Sequence, residues 1–155
     1  MPTSTVTEPA ERLLVITRVF DAPRALVFRA WTQPEHLARW WGPRGYSLPS
    51  CQIDLRPGGA YRFQMRSPEG DIHWWHGMVR EIVEPERIVW TCSASNADGT
   101  SISAETLLTV TLEEYAGKTR LTLHQAIFES TAVRDAHSNG WNDAFGRLAE
   151  HLASA

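Results

Sequence analysis

The sequence predicts an α+β fold in which a seven-stranded antiparallel sheet wraps one long C-terminal helix. Three observations carry this. From residue 47 onward, six strand-like runs follow one another through short turns, which implies a meander rather than crossover connections. From about Thr131 to Leu152, Val133, His137, Trp141, Phe145, Leu148 and Leu152 recur at intervals of four, four, four, three and four, one helical stripe. An antiparallel sheet with one solvated face must bury the other, and no other element is long enough to cover it.

The elements follow in order. Leu13 to Asp21 is rich in β-branched and aromatic residues and reads as a strand. Asp21-Ala22-Pro23 then opens a first short helix from about Pro23 to Trp31, with Asp21 as a capping oxygen and proline in the first turn. Thr32-Gln33-Pro34-Glu35 fits a capping box for a second helix, which runs to Trp40 or Trp41 and is stopped by Gly42-Pro43. The six later strands are Ser47 to Leu55, Ala60 to Arg66, Ile72 to Val83, Ile88 to Ala94, Ser103 to Glu113 and Lys118 to Phe128. Ser130 or Thr131 caps the last helix. Gly140 inside it costs about 1 kcal/mol against alanine, which calls for a packing reason such as close approach to the sheet.

Composition narrows the function. A chain of 155 residues with 43% hydrophobic and 21% charged residues suits one soluble domain over residues 12–155, behind a small, polar, disordered tail at 1–11. The formal charge of −3 comes without a basic stripe, so no nucleic-acid partner is expected. No apolar run approaches the roughly 20 residues that span a bilayer, so membrane insertion is not expected. The N-terminus lacks a secretory pattern, and Cys51 and Cys92 match neither a metal spacing nor a disulfide framework. A cytoplasmic protein with reduced thiols follows.

The run Ile16-Thr17-Arg18-Val19-Phe20-Asp21-Ala22-Pro23, then Ala30-Trp31-Thr32, Glu35-x-Leu37 and Trp40-Trp41-Gly42-Pro43, resembles the opening of the START-like (SRPBCC) ligand-binding superfamily. The branch it is most similar to holds homologues of the heat-shock-protein-ninety ATPase activator. Asp54-Leu55-Arg56-Pro57-Gly58-Gly59, Pro85-Glu86-Arg87-Ile88-Val89 and Gly140-Trp141 extend the resemblance over residues 13–152. It implies the helix-grip fold, with a cavity for hydrophobic ligands between sheet and helix. It also implies that eukaryotic activators carry a separate N-terminal domain that engages the chaperone. Only a short tail precedes the first strand here, which counts against a chaperone-stimulating role.

Strand alternation nominates the cavity lining. Tyr61, Phe63 and Met65 form one inward row; Thr106, Leu108, Val110 and Leu112 another; Ile88, Trp90 and Cys92 a third. In Ile72 to Val83 both rows are partly apolar, and Trp74, His76 and Met78 are taken as inward over Trp75, Gly77 and Val79. The candidate ligand-binding residues are thus Trp40, Phe63, Met65, Trp74, His76, Met78, Trp90, Cys92, Leu108, His137, Trp141 and Phe145. Of Trp40 and Trp41, about 100° apart on a helix, Trp40 is assigned to the cavity and its neighbour to wedging the short helices.

Metal chelation by His73 and His76 is not expected, because a spacing of three on a strand sends the imidazoles to opposite faces. His36 and His151 are read as solvent-exposed. No nucleophile elbow, phosphate loop or dinucleotide fingerprint occurs, and neither cofactor nor metal is implied. The leading expectation is a monomer or homodimer binding a small hydrophobic or aromatic molecule. A cyclase, aromatase or hydrolase using His76, Glu105, His124 or His137 as acid–base group is the first alternative. A co-chaperone or stress-response interaction module is the second.

Overall fold

The computed structural model describes residues 12–154; the tail expected at 1–11 lies outside them. Strand β1 (Leu14–Phe20) leads into α1 (Arg24–Thr32) and α2 (Pro34–Trp40). Six strands follow: β2 (Ser47–Ile53), β3 (Ala60–Arg66), β4 (Ile72–Val83), β5 (Arg87–Ser95), β6 (Thr106–Tyr115) and β7 (Lys118–Ala126). The chain then enters α3 (Thr131–Ser154). The sheet order is β1-β7-β6-β5-β4-β3-β2, antiparallel throughout. This is the helix-grip arrangement. Because β1 and β2 occupy opposite edges, the chain between them crosses the whole sheet, and α1 and α2 make that crossing over its inner face.

The inward rows of β3, β5, β6 and β7 bury as alternation requires: Tyr61, Phe63, Ile88, Trp90, Leu108, Val110, Leu112, Leu121 and Leu123 are nearly inaccessible. Along α3 the stripe divides in two. Phe145, Leu148 and Leu152 are buried, whereas Val133, His137 and Trp141 are half-buried. The C-terminal half of the helix packs on the core, and the N-terminal half stands over a space.

Several local expectations are corrected. The capping box does not form: the Thr32 hydroxyl turns back to the Phe28 carbonyl (2.8 Å), and Gln33 is the N-cap of α2 with Pro34 at its first position. Asp21 caps nothing, since Pro23 is the N-cap of α1 without a side-chain bond. Ser130 does cap α3, its hydroxyl accepting the Val133 amide at 3.2 Å. Residues 103–105 leave the strand for a loop, where Ser103 Oγ accepts the Ala94 amide (2.8 Å). His36 and His151 are half-buried and bonded to each other, Nδ1 to Nε2 at 2.8 Å, tying α2 to the end of α3.

The inward row of β4 is the reverse of that expected. Val79 is fully buried, while Met78 is 48% exposed on the outer face. There Trp74 lies under the Arg62 guanidinium (4.0 Å) and His76 bonds Ser101 Oγ (2.9 Å). Gly77 explains the reversal. A Cβ there would lie 1.9 Å from the Thr91 carbonyl oxygen, so the inward row contains a notch instead of a side chain. Tyr61, paired opposite Gly77, reaches across the notch to donate its hydroxyl to that carbonyl (2.6 Å), and Thr91 Oγ1 accepts the Met78 amide (2.8 Å).

Candidate functional site

The space under the N-terminal half of α3 is a cavity of about 270 Å³. The segment after α2 forms its lip with Trp41, Gly42, Pro43 and Tyr46. Tyr61 and Met65 enter from β3, His73 and Trp75 from β4, Cys92 from β5 and Gln125 from β7. The roof is α3, through Ala136, His137, Gly140, Trp141 and Ala144. Gly140 is corrected here: a methyl at that position would touch only Pro43, at 3.8 Å, so this glycine borders the cavity instead of approaching the sheet.

Of the expected lining residues, Met65, Cys92, His137 and Trp141 border the cavity. Trp74, His76 and Met78 do not, because their row faces outward. Phe63, Trp90, Leu108 and Phe145 are at most 2% exposed and form the packed floor beneath it. Trp40 is in that floor too: it is fully buried, with its indole N–H donated to the Ala30 carbonyl (2.9 Å). Trp41, the last helical turn's C-cap, is the one that borders the cavity.

The floor is an aromatic cluster centred on Trp31. Its ring lies 4.9 Å from Trp40, 5.9 Å from Trp41, 5.7 Å from Trp141 and 6.2 Å from Phe145. Trp41 stands edge-on to Phe63 (5.1 Å) and to Trp141 (5.2 Å). Edge-to-face pairs of this kind add about 0.5–1.5 kcal/mol each beyond area burial, so the wall is rigid as well as apolar.

Few polar groups enter, and most are spoken for. The Trp141 indole donates to Gln125 Oε1 (2.9 Å), Gln125 Nε2 donates to Thr106 Oγ1 (2.9 Å), and Thr106 donates to the Cys92 carbonyl (3.3 Å). This relay orients Trp141 from β7, β6 and β5. Gln125 was not singled out from the sequence, although it continues the inward alternation of Leu121 and Leu123 at 1% exposure. Gln125→Leu should leave the Trp141 indole N–H unpaired, take from Thr106 Oγ1 the bond it accepts while its bond to the Cys92 carbonyl stays, and cost about 2 kcal/mol. A fall in the urea midpoint at unchanged m, with a shifted tryptophan emission, checks it; an unchanged midpoint would contradict the relay.

The lip is held from α3 by Arg147, whose Nη1 donates to the carbonyls of Trp41 (3.1 Å), Gly42 (2.9 Å) and Pro43 (3.1 Å). Gly42 adopts φ +94°, and a Cβ there would press on Met65 Cε at 3.2 Å, so glycine both turns the chain and admits the methionine. Nothing in the spacing of Arg147 announced this clamp.

Neither thiol is an activated nucleophile. Burial pushes the Cys92 thiol up to about 11, and burial followed by the Glu35 charge pushes Cys51 up to about 12. Of the four acid–base candidates, Glu105 and His124 are exposed and His76 faces outward. Only His137 borders the cavity; burial lowers its pKa, partly offset by its bond to the Val133 carbonyl. His73 reaches the cavity while His76 does not, so that pair is split across the strand as its spacing requires. Among the described residues, no group of three or more His, Cys, Asp or Glu could hold a metal ion. No helix among them is long and apolar enough to cross a membrane.

The family described as "Activator of Hsp90 ATPase homolog 1-like protein" matches residues 21–153. No curated protein matches the chain. Solved structures do. A protein from Nitrosomonas europaea is 28% identical with a TM-score of 0.79, covering 94% of this chain and 96% of its own. An AHSA1 protein from Silicibacter pomeroyi is 26% identical with a TM-score of 0.81, over 91% and 97%. An uncharacterised protein from Rhizobium leguminosarum is 29% identical with a TM-score of 0.75, over 92% and 95%.

Proposed function

The chain belongs to the family of Activator of Hsp90 ATPase homolog 1-like proteins, which fits a ligand-binding or interaction module, and we propose that it binds a small hydrophobic or aromatic molecule in the sheet–helix cavity. The observation that carries this reading is the cavity of about 270 Å³ walled by Trp41, Trp75, Trp141 and Met65. Flat rings and an adaptable thioether suit apolar ligands, and a space of this size falls just short of the usual small-molecule range of about 300–1,000 Å³. Under this reading the protein works in the cytoplasm as a monomer or homodimer, without a cofactor or nucleic-acid partner. The acid–base alternative keeps one of its four residues, His137.

Naphthalene, indole and a medium-chain fatty acid should be titrated against the purified protein. A binder present at 100 times its Kd should stabilise the fold by about 2.7 kcal/mol. Trp41 and Trp141 border the site, so quenching of tryptophan emission should accompany the rise in melting temperature. If none of the three moves either signal, the binding reading fails.

A further inference from the structure

We propose that His137 selects, among the apolar molecules the cavity admits, neutral ligands that present an O–H to its Nε2: phenols and enols, in preference to ethers, plain hydrocarbons and carboxylates. This rests on the ligand-binding reading above and adds the chemistry of the ligand to it.

The tautomer follows from one hydrogen bond. His137 Nδ1 lies 3.0 Å from the Val133 carbonyl oxygen, one turn back on α3. A carbonyl can only accept, so Nδ1 carries the proton, and in the neutral ring Nε2 is left with a lone pair. Burial lowers the pKa of this ring, which keeps it neutral at pH 7. Nε2 has no partner among the described residues.

The ring is held in place. Trp75 meets it edge-on at 5.6 Å and Phe128 packs against it at 4.8 Å. His137 also borders a smaller chamber of about 40 Å³, next to the main cavity, with Trp75 and Cys92 shared between the two. Its free edge is therefore an acceptor beside the mainly aromatic wall of Trp75, Phe128 and Trp141, where an unmade hydrogen bond under a bound ligand costs more than it would in water.

The remaining polar groups sharpen the choice. Gln125 and Tyr61 already have partners. The Cys92 thiol stays protonated, and His73 is exposed at the edge of the site. No arginine or lysine lines either space, and the smaller chamber carries the Glu129 carboxylate. A carboxylate ligand would meet a lone pair at Nε2, with no arginine or lysine among the lining residues to offset its charge. An ether or hydrocarbon would leave Nε2 dry and unpaired, whereas a phenolic or enolic O–H satisfies it.

The test compares 2-naphthol, 2-methoxynaphthalene, naphthalene and 2-naphthoate by fluorescence quenching and calorimetry at pH 7. Wild type should bind 2-naphthol about tenfold more tightly than naphthalene or the methyl ether, and 2-naphthoate most weakly. His137→Phe, which keeps a ring and removes the acceptor, should bind 2-naphthol no more tightly than its methyl ether, so that the preference itself is lost whatever happens to the overall affinity. Should that variant not fold, the wild-type protein still decides: the His137 Nε2 nitrogen resonance should move with 2-naphthol and stay with the methyl ether. Equal affinities for naphthol and its ether, or tightest binding of naphthoate, overturn the selection by His137 while leaving the cavity reading intact. Binding of none of the four overturns both.

Discussion

Gly77→Ala should destabilise the protein by about 3 kcal/mol, at the upper end of what a single added methyl costs in a packed interior. The methyl would lie 1.9 Å from the Thr91 carbonyl oxygen and 2.8 Å from Thr91 Oγ1. The carbonyl belongs to a paired strand and cannot move aside alone, and the hydroxyl could turn only by giving up its bond to the Met78 amide. Moving β5 would break two bonds that use Thr91: the Tyr61 hydroxyl to its carbonyl (2.6 Å) and the Met78 amide to its hydroxyl (2.8 Å). Tyr61→Phe gives the scale, because it removes only the first bond and should cost about 1 kcal/mol. The two variants together should lose less than the sum, since they disturb the same junction. Urea unfolding measures all three. Gly77→Ala within 0.5 kcal/mol of wild type, on the order of a surface substitution, would mean that the strands do not approach as closely as described.

The same glycine marks where sequence reasoning stopped. In β3, β6 and β7 one row is plainly apolar, and these strands take the faces that alternation assigns. In β4 the rows Trp74, His76, Met78 and Trp75, Gly77, Val79 are similarly mixed. Side-chain character favoured the first row, because glycine contributes nothing to an apolar count. Its meaning here is steric: the Tyr61 hydroxyl and the Thr91 carbonyl meet in the space it leaves. That depends on two other strands and is not written in β4.

The cavity divides along the same line. Met65, Cys92 and Trp141 could be named because each belongs to an element whose inward face was settled by its neighbours. Gln125 lies on such a face, but an amide side chain carries no apolar signal to mark it as buried. Arg147 and the His36–His151 pair are different, since each joins α2 or the segment after it to α3, more than 100 residues away. Helical periodicity gives the face of one helix, and it says nothing of which loop carbonyls or imidazole another helix will bring to it. The capping box failed for a related reason: Pro34 already suits the first position of α2, and the Thr32 hydroxyl found a carbonyl within α1.

Trp40 and Trp41 are neighbours whose removal should separate stability from binding. Trp40→Ala and Trp41→Ala should each cost about 3–5 kcal/mol, since both rings are nearly or fully buried against other aromatics. Against a total stability on the order of 5–15 kcal/mol, either loss leaves little margin, so binding is better read on the phenylalanine variants. Trp40→Phe removes the hydrogen bond to the Ala30 carbonyl and packing between α1 and α2, away from the cavity. Its melting temperature should fall while naphthalene affinity in the folded protein stays within about twofold of wild type. Trp41→Phe removes part of the wall that stands edge-on to Trp141 and enlarges the space under the lip. Naphthalene affinity should drop several-fold, because a ligand that no longer touches the wall on one side forfeits those dispersion contacts. Larger aromatics such as pyrene should gain. If Trp40→Phe weakens binding and Trp41→Phe does not, the two rings have been assigned to the wrong sides of the floor.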